Sequence, residues 1–143
     1  MSVSNASAKW NGDLKSGKGS MKLGSGAWEG PFSFKTRFEG EQGANPEELI
    51  GAALAGCYAM ALSHGLASAG HTPTSVDTSA KVHLNPVEGG FAITKIELTC
   101  DAVVPGLSQA DFQKAAEDTK KGCPVSKVLA STSIELKATL KNA

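Results

Sequence analysis

Asn45-Pro-Glu-Glu-Leu-Ile-Gly-Ala-Ala-Leu-Ala-Gly-Cys-Tyr-Ala-Met60 is the stretch on which the fold turns. Asn45 suits an N-cap, Pro46 the first helical position, and Glu48 the capping-box position three residues after Asn45, so a helix should start here. Helical spacing carries on to about Ser68, with Gly70 as the stop and Pro73 beyond it. The first half of this helix is apolar or small on every side, so it must be covered all round rather than along one stripe. A single domain of 143 residues struggles to enclose it. Ala52 and Gly56, and Ala55 and Ala59, lie four apart and leave flat strips where another backbone can approach. A homodimer is therefore expected, with central helices of both chains packed together.

Upstream, the segments 8–14, 19–23 and 32–38 alternate imperfectly and are punctuated by Gly17, Gly19, Gly24, Gly26 and Gly30, which predicts a small antiparallel meander. Downstream, 75–84 and 91–104 read as strands joined by a hairpin loop over 85–90. The segment 108–121 reads as a second helix with Ser108 and Asp111 at capping spacing and Gly122 at its end. Pro124 opens a short helix ending near Ala130, with Cys123 at or beside its N-cap, and 133–140 alternates as a last strand. No repeat or linker divides the chain, so the class is α+β in one domain, 1–143.

Fourteen Lys plus Arg balance fourteen Asp plus Glu with no basic run, which argues against nucleic acid or an anionic membrane as partner. Three cysteines are an odd number in a chain large enough to fold without disulfides, and residues 1–9 lack the apolar stretch of a secretory signal. A reducing cytoplasm is the expected setting. The run 50–69 is long enough to raise the question of a membrane span, but it is mostly Ala and Gly and contains Ser63 and His64.

Cys57 lies in the small-residue helix, and Cys123 in the step Lys121-Gly-Cys-Pro-Val125, 66 residues away. Nucleophilic chemistry at Cys57, toward a peroxide or a disulfide, would need a thiolate, and burial opposes one. At about three turns into its helix the sulfur is out of range of the helix dipole, so a cation must be brought to it. Arg37 is the only arginine beside thirteen lysines, and it sits in Phe34-Lys-Thr-Arg-Phe38, read here as strand. Its planar fork can hold a carboxylate while facing a thiolate or a peroxide oxygen; the alternative is a strand arginine facing solvent. Glu47 is the candidate carboxylate, although an acid at the second helical position is favourable for the dipole in any case. Ten residues of helix put Glu47 roughly 15 Å from Cys57 along the axis, so service to an arginine beside Cys57 has to run across a dimer.

Cys123, at a helix start, faces free amides and is the easier thiol to ionise. Its expected role is to condense with an oxidised Cys57 to a disulfide; the alternatives are burial of a small apolar group and an incidental Gly-Cys-Pro turn. Cys100 shares a strand face with Ile96, Leu98 and Ala102 and reads as core packing. His64, His71 and His83 lack the spacing of a metal site, and neither metal nor cofactor is expected.

The segments Arg37-Phe-Glu-Gly-Glu-Gln-Gly-Ala-Asn-Pro-Glu-Glu-Leu-Ile-Gly-Ala-Ala53, then Cys57, Gly89-Gly-Phe-Ala-Ile-Thr-Lys-Ile96 and Gly122-Cys-Pro-Val-Ser126 resemble the osmotically inducible protein C family, relatives of the organic hydroperoxide resistance proteins. The likeness runs over nearly the whole chain, from Trp10-Asn-Gly-Asp-Leu14 to the last strand. It implies an intertwined homodimer of antiparallel sheets wrapped around central helices, with two active sites at the subunit interface. It implies thiol-dependent reduction of hydroperoxides, organic ones preferred. Cys57 would be the peroxidatic and Cys123 the resolving cysteine, Arg37 and Glu47 the activating pair, and the reductant an external dithiol such as the dihydrolipoyl groups of lipoylated proteins, with thioredoxin as the other possibility. Phe38, Ile50, Leu54 and Met60 are candidates for the apolar surroundings of the site.

Overall fold

The computed structural model describes residues 2–142 as two compact units, one ending at Glu48 and one beginning at Leu49. In the first, β1 (Ala6–Asn11), β2 (Lys18–Leu23) and β3 (Glu29–Phe32) form the expected antiparallel meander in the order β1-β2-β3. Its register places Trp10 opposite Gly19 and Gly19 opposite Phe32. A Cβ on Gly19 would lie 2.5 Å from the Trp10 ring and 2.7 Å from that of Phe32, so the glycine is what lets the two rings meet, 5.3 Å apart and tilted by 52°. The pair closes over the middle strand as an aromatic cross-strand contact.

The segment 32–38, read from sequence as a strand, is divided: β3 ends at Phe32 and α1 (Phe34–Phe38) follows. Ser33 is the reason. Its Oγ accepts from the Thr36 amide at 3.2 Å, while Thr36 Oγ1 accepts from the Ser33 amide at 2.9 Å, a reciprocal box that starts a helix. Phe34 and Phe38 then lie one turn apart with ring centroids 4.9 Å from each other. Arg37 is therefore a helical residue.

Helix α2 (Pro46–Ser68) begins as read, with Asn45 Oδ1 accepting from the Glu48 amide at 2.8 Å. It ends in a Schellman motif: Gly70 takes φ +91°, its amide donates to Ala67 O, and the His71 amide donates to Leu66 O. By length and composition α2 could cross a membrane. In the second unit its row Leu54, Tyr58, Leu62 and Leu66 is instead core, while the opposite row Ala52, Gly56, Met60 and His64 is exposed.

That core is completed by a second three-stranded sheet and by two further helices. β4 (Ser75–Val87) and β5 (Gly90–Val103) pair antiparallel. Their connection is shorter than the loop expected over 85–90: the ladder continues through Pro86 opposite Phe91, past an irregularity at His83/Leu84, and only Glu88 and Gly89 form the turn. β6 (Ser133–Leu140) joins β5 in parallel, so this sheet is mixed. The crossover that a parallel pair requires is supplied by α3 (Gln109–Gly122) and α4 (Pro124–Val128). Ile96, Leu98, Cys100 and Ala102 alternate onto the buried face of β5, as read for Cys100. Tyr58 Oη donates to Ala116 O at 2.9 Å and so ties α2 to α3.

Candidate active site

Two constellations gather the four residues singled out from sequence. In the first unit, Arg37 reaches Glu47 from the last turn of α1: Nε and Nη2 both donate to Oε1, at 3.1 and 2.7 Å. The Phe38 ring lies under the guanidinium, 5.4 Å from Cζ to centroid. Trp10, Leu14, Phe32, Phe34, Phe38 and Arg37 line a cavity of about 440 Å³. Its polar end is a guanidinium already oriented by a buried acid, and its walls are aromatic.

In the second unit, α2 carries Cys57 and the α3–α4 junction carries Cys123, with the two sulfurs 2.9 Å apart and both thiols free. That separation exceeds the roughly 2.05 Å of a disulfide and is within reach of a hydrogen bond between the two sulfurs. Cys123 is the C-cap of α3 and the N-cap of α4 at once: its amide donates to Thr119 O at 2.9 Å, and its carbonyl accepts from the Lys127 amide at 3.0 Å. The chain is thus pinned on either side of the sulfur.

The pair is electrically lopsided. Burial pushes the Cys57 thiol up, and the hydrogen bond to Cys123 adds to this. Burial acts on Cys123 too, but the hydrogen bond with Cys57, the amides of Ser126 and Val125 and the Ser126 hydroxyl together bring it below the ordinary thiol range. The sulfur separation by itself admits either donor. We place the proton on Cys57, because the amide donors at Cys123 stabilise charge there and cannot be reoriented. Cys57 accordingly needs an added cation to become the thiolate. Exposure runs the other way: Cys57 is half-buried, whereas Cys123 is 1% exposed. Solvent therefore reaches Cys57 first.

The sequence model of OsmC-like proteins matches residues 39–138. The chain belongs to the OsmC-like protein family. It is 54% identical over 123 residues to the peroxiredoxin OsmC of Escherichia coli (strain K12), covering 85% of this chain and 86% of that protein. It is also 32% identical over 88 residues to an organic hydroperoxide resistance protein of Xanthomonas axonopodis pv. citri, across 61% and 60% of the two chains. The fold is that of a solved organic hydroperoxide resistance protein OsmC from Legionella pneumophila, with a TM-score of 0.74 at 22% identity over 98% of this chain and 100% of that one.

Within this OsmC-like chain the apolar candidates separate. Phe38 lines the cavity beside Arg37, Leu54 is sealed in the core, Ile50 packs against that core, and Met60 is 76% exposed on the open row of α2. Trp10, Phe32 and Phe34 escaped the sequence reading: Phe32 and Phe34 flank the cap residue Ser33, whereas Trp10 joins them from β1 through its ring contact with Phe32. Ser126 escaped it too. Its spacing of three from Cys123, an N-cap-to-N3 distance, was the available clue.

Proposed function

We propose that this protein is a cysteine-based peroxidase that reduces organic hydroperoxides to alcohols. The observation that carries the reading is the approach of two free thiols to 2.9 Å, one half-buried and one sealed. The family membership and the peroxiredoxin relative support a peroxidase-type role.

The steps follow from the chemistry of the pair. The Cys57 thiolate attacks the distal peroxide oxygen; the O–O bond breaks, and an alkoxide leaves with the electron pair and takes up a proton as the alcohol. Cys57 is left as a sulfenic acid. The Cys123 thiolate then attacks that sulfur, the S–O bond breaks, and hydroxide departs as water, leaving a Cys57–Cys123 disulfide. An external dithiol restores both thiols and becomes a disulfide itself. The reductant proposed is a dihydrolipoyl group of a lipoylated protein, in the cytoplasm, with thioredoxin as the competitor in the assay.

Activation of Cys57 is assigned to Arg37, aligned by Glu47, whose positive charge would hold the thiolate and the negative charge developing on the peroxide. A homodimer is the proposed means of delivery, since ten residues of continuous helix separate Glu47 from Cys57. The open row of Ala52, Gly56 and Met60 suits helix-to-helix contact between copies. The aromatic cavity at Arg37 suits the hydrocarbon end of the substrate, because apolar pockets of this size bury small organic molecules.

Steady-state consumption of cumene hydroperoxide with dihydrolipoamide tests the proposal. Cys57→Ser abolishes turnover, and Cys123→Ser stops after one oxidation per chain. Undiminished consumption by Cys57→Ser overturns the assignment. A single oxidation without turnover in the unmodified protein would mark a redox-sensing module instead.

A further inference from the structure

Ser126 is 4% exposed, and its Oγ is buried without a hydrogen-bond partner. A buried hydroxyl in that condition is disfavoured against alanine, so something at this position has to use it. Ser126 is the third residue after the N-cap Cys123. In a capping box the side chain at this position turns back to the N-cap amide. That amide is already given to Thr119 O at 2.9 Å, so the usual acceptor role is closed to Ser126. What remains on the path back toward the N-cap is the Cys123 sulfur. As placed, the hydroxyl falls short of full hydrogen-bond geometry with it, yet it is near enough to help hold the Cys123 thiol down.

We propose that Ser126 is a positioning residue whose hydroxyl donates to the Cys123 sulfur, holding it as the thiolate that condenses with oxidised Cys57. The role rests on the peroxidase reading for its place in the cycle, but not for the bond itself. A sulfur has lone pairs for a donor in either state and gains most from one when charged. The same bond serves the reverse direction, because it stabilises Cys123 as the leaving thiolate when a dithiol opens the disulfide at Cys57. Among the described residues, Cys57 and Tyr58, both on α2, are titratable side chains that interact with Cys123, and Tyr58 is tied to Ala116 O. Neither supplies a fixed neutral donor.

The test is a pH profile of Cys123 alkylation by iodoacetamide in a Cys57→Ala background, where loss of the half-buried sulfur 2.9 Å away opens the otherwise sealed Cys123 to reagent, read by peptide mass so that Cys100 does not contribute, with and without Ser126→Ala. The expected result is a rise of about one pH unit in the Cys123 midpoint, or about ten-fold less thiolate below it, as loss of one hydrogen bond to a charged group requires. Ser126→Thr, which keeps the hydroxyl, should return the midpoint toward the original. In otherwise unmodified protein, Ser126→Ala should slow formation of the Cys57–Cys123 disulfide about ten-fold. Superimposable alkylation profiles for the serine and alanine proteins overturn the proposal. A shifted profile in a protein that turns over no peroxide would sink the peroxidase reading and leave the Ser126 assignment standing.

Discussion

Glu47 holds Arg37 through one oxygen, with Oε1 accepting from both Nε and Nη2. The side chain of the acid is 8% exposed and that of the arginine 36%, so the carboxylate is the fixed member and the guanidinium the member turned outward. A pair built this way stabilises an incoming charge without first having to reorganise, which is what a thiolate and a peroxide oxygen would both exploit.

Glu47→Gln keeps the shape of the acceptor and removes its charge, and Arg37→Lys keeps the charge and removes the fork. Each should lower kcat/KM for cumene hydroperoxide by about ten-fold or more, the scale of a lost charge-assisted hydrogen bond. The folded content seen by circular dichroism should stay unchanged. Full activity in both variants would place the activation of Cys57 elsewhere.

Ser33 holds the same arginine at one remove. Ser33→Ala opens the reciprocal box with Thr36 and should cost about 1 kcal/mol in denaturant unfolding. Because α1 has only five residues, the loss should also loosen Arg37 and reduce peroxide turnover. Ser16→Ala, which removes an exposed loop bond to Asp13, is the control and should leave turnover intact.

How far these features can be read from sequence depends on how local their causes are. The start and stop of α2 were legible because Asn45, Pro46 and Gly70 act on their own backbone. The meander and the alternation of β5 were legible for the same reason. Helix α1 was not: Phe32, Phe34 and Phe38 fit spacings of two and four equally, and Ser33 with Thr36 decided between them. The parallel placement of β6 depends on where a two-helix crossover returns the chain, a non-local matter. Cys57 and Cys123 stood out in the sequence as candidates, but their approach to 2.9 Å did not, since 66 residues, including two strands and a helix, separate them along the chain. The open Ser126 hydroxyl could only be found once Thr119 was seen to occupy the Cys123 amide.

Cys100 should be inert and should tax stability at alkaline pH. Burial first, then the charges of Asp101 and Asp77, push its thiol up to about 11 from an ordinary 9.0. The native state therefore keeps a proton that the unfolded state gives up, so stability is lost as pH rises from about 9 to about 11, by on the order of 3 kcal/mol at most. Cys100→Ala should flatten that part of the curve relative to the parent, whatever it costs at neutral pH. An unchanged slope, or ready alkylation of Cys100 in the native protein at pH 8, would contradict the burial that defines it.

The aromatic cavity makes the last prediction, and it separates binding of the hydrocarbon from the chemistry at sulfur. Trp10 and Phe34 sit in its wall and take no part in the Arg37–Glu47 or the Cys57–Cys123 hydrogen bonds. If the organic end of the substrate lodges there, Trp10→Leu or Phe34→Ala removes apolar contact worth about 1.5–3 kcal/mol to a bulky hydroperoxide and nothing to hydrogen peroxide. The kcat/KM for cumene hydroperoxide should fall about ten-fold or more in each variant, while that for hydrogen peroxide stays within about two-fold. Phe34→Ala also loses its ring contact with Phe38, so a fall shared equally by both peroxides would point to a displaced Arg37. Trp10→Leu decides the matter, because Trp10 belongs to β1 and its ring pairs with Phe32 rather than with α1. Equal losses for both peroxides in that variant would remove the cavity from the substrate path.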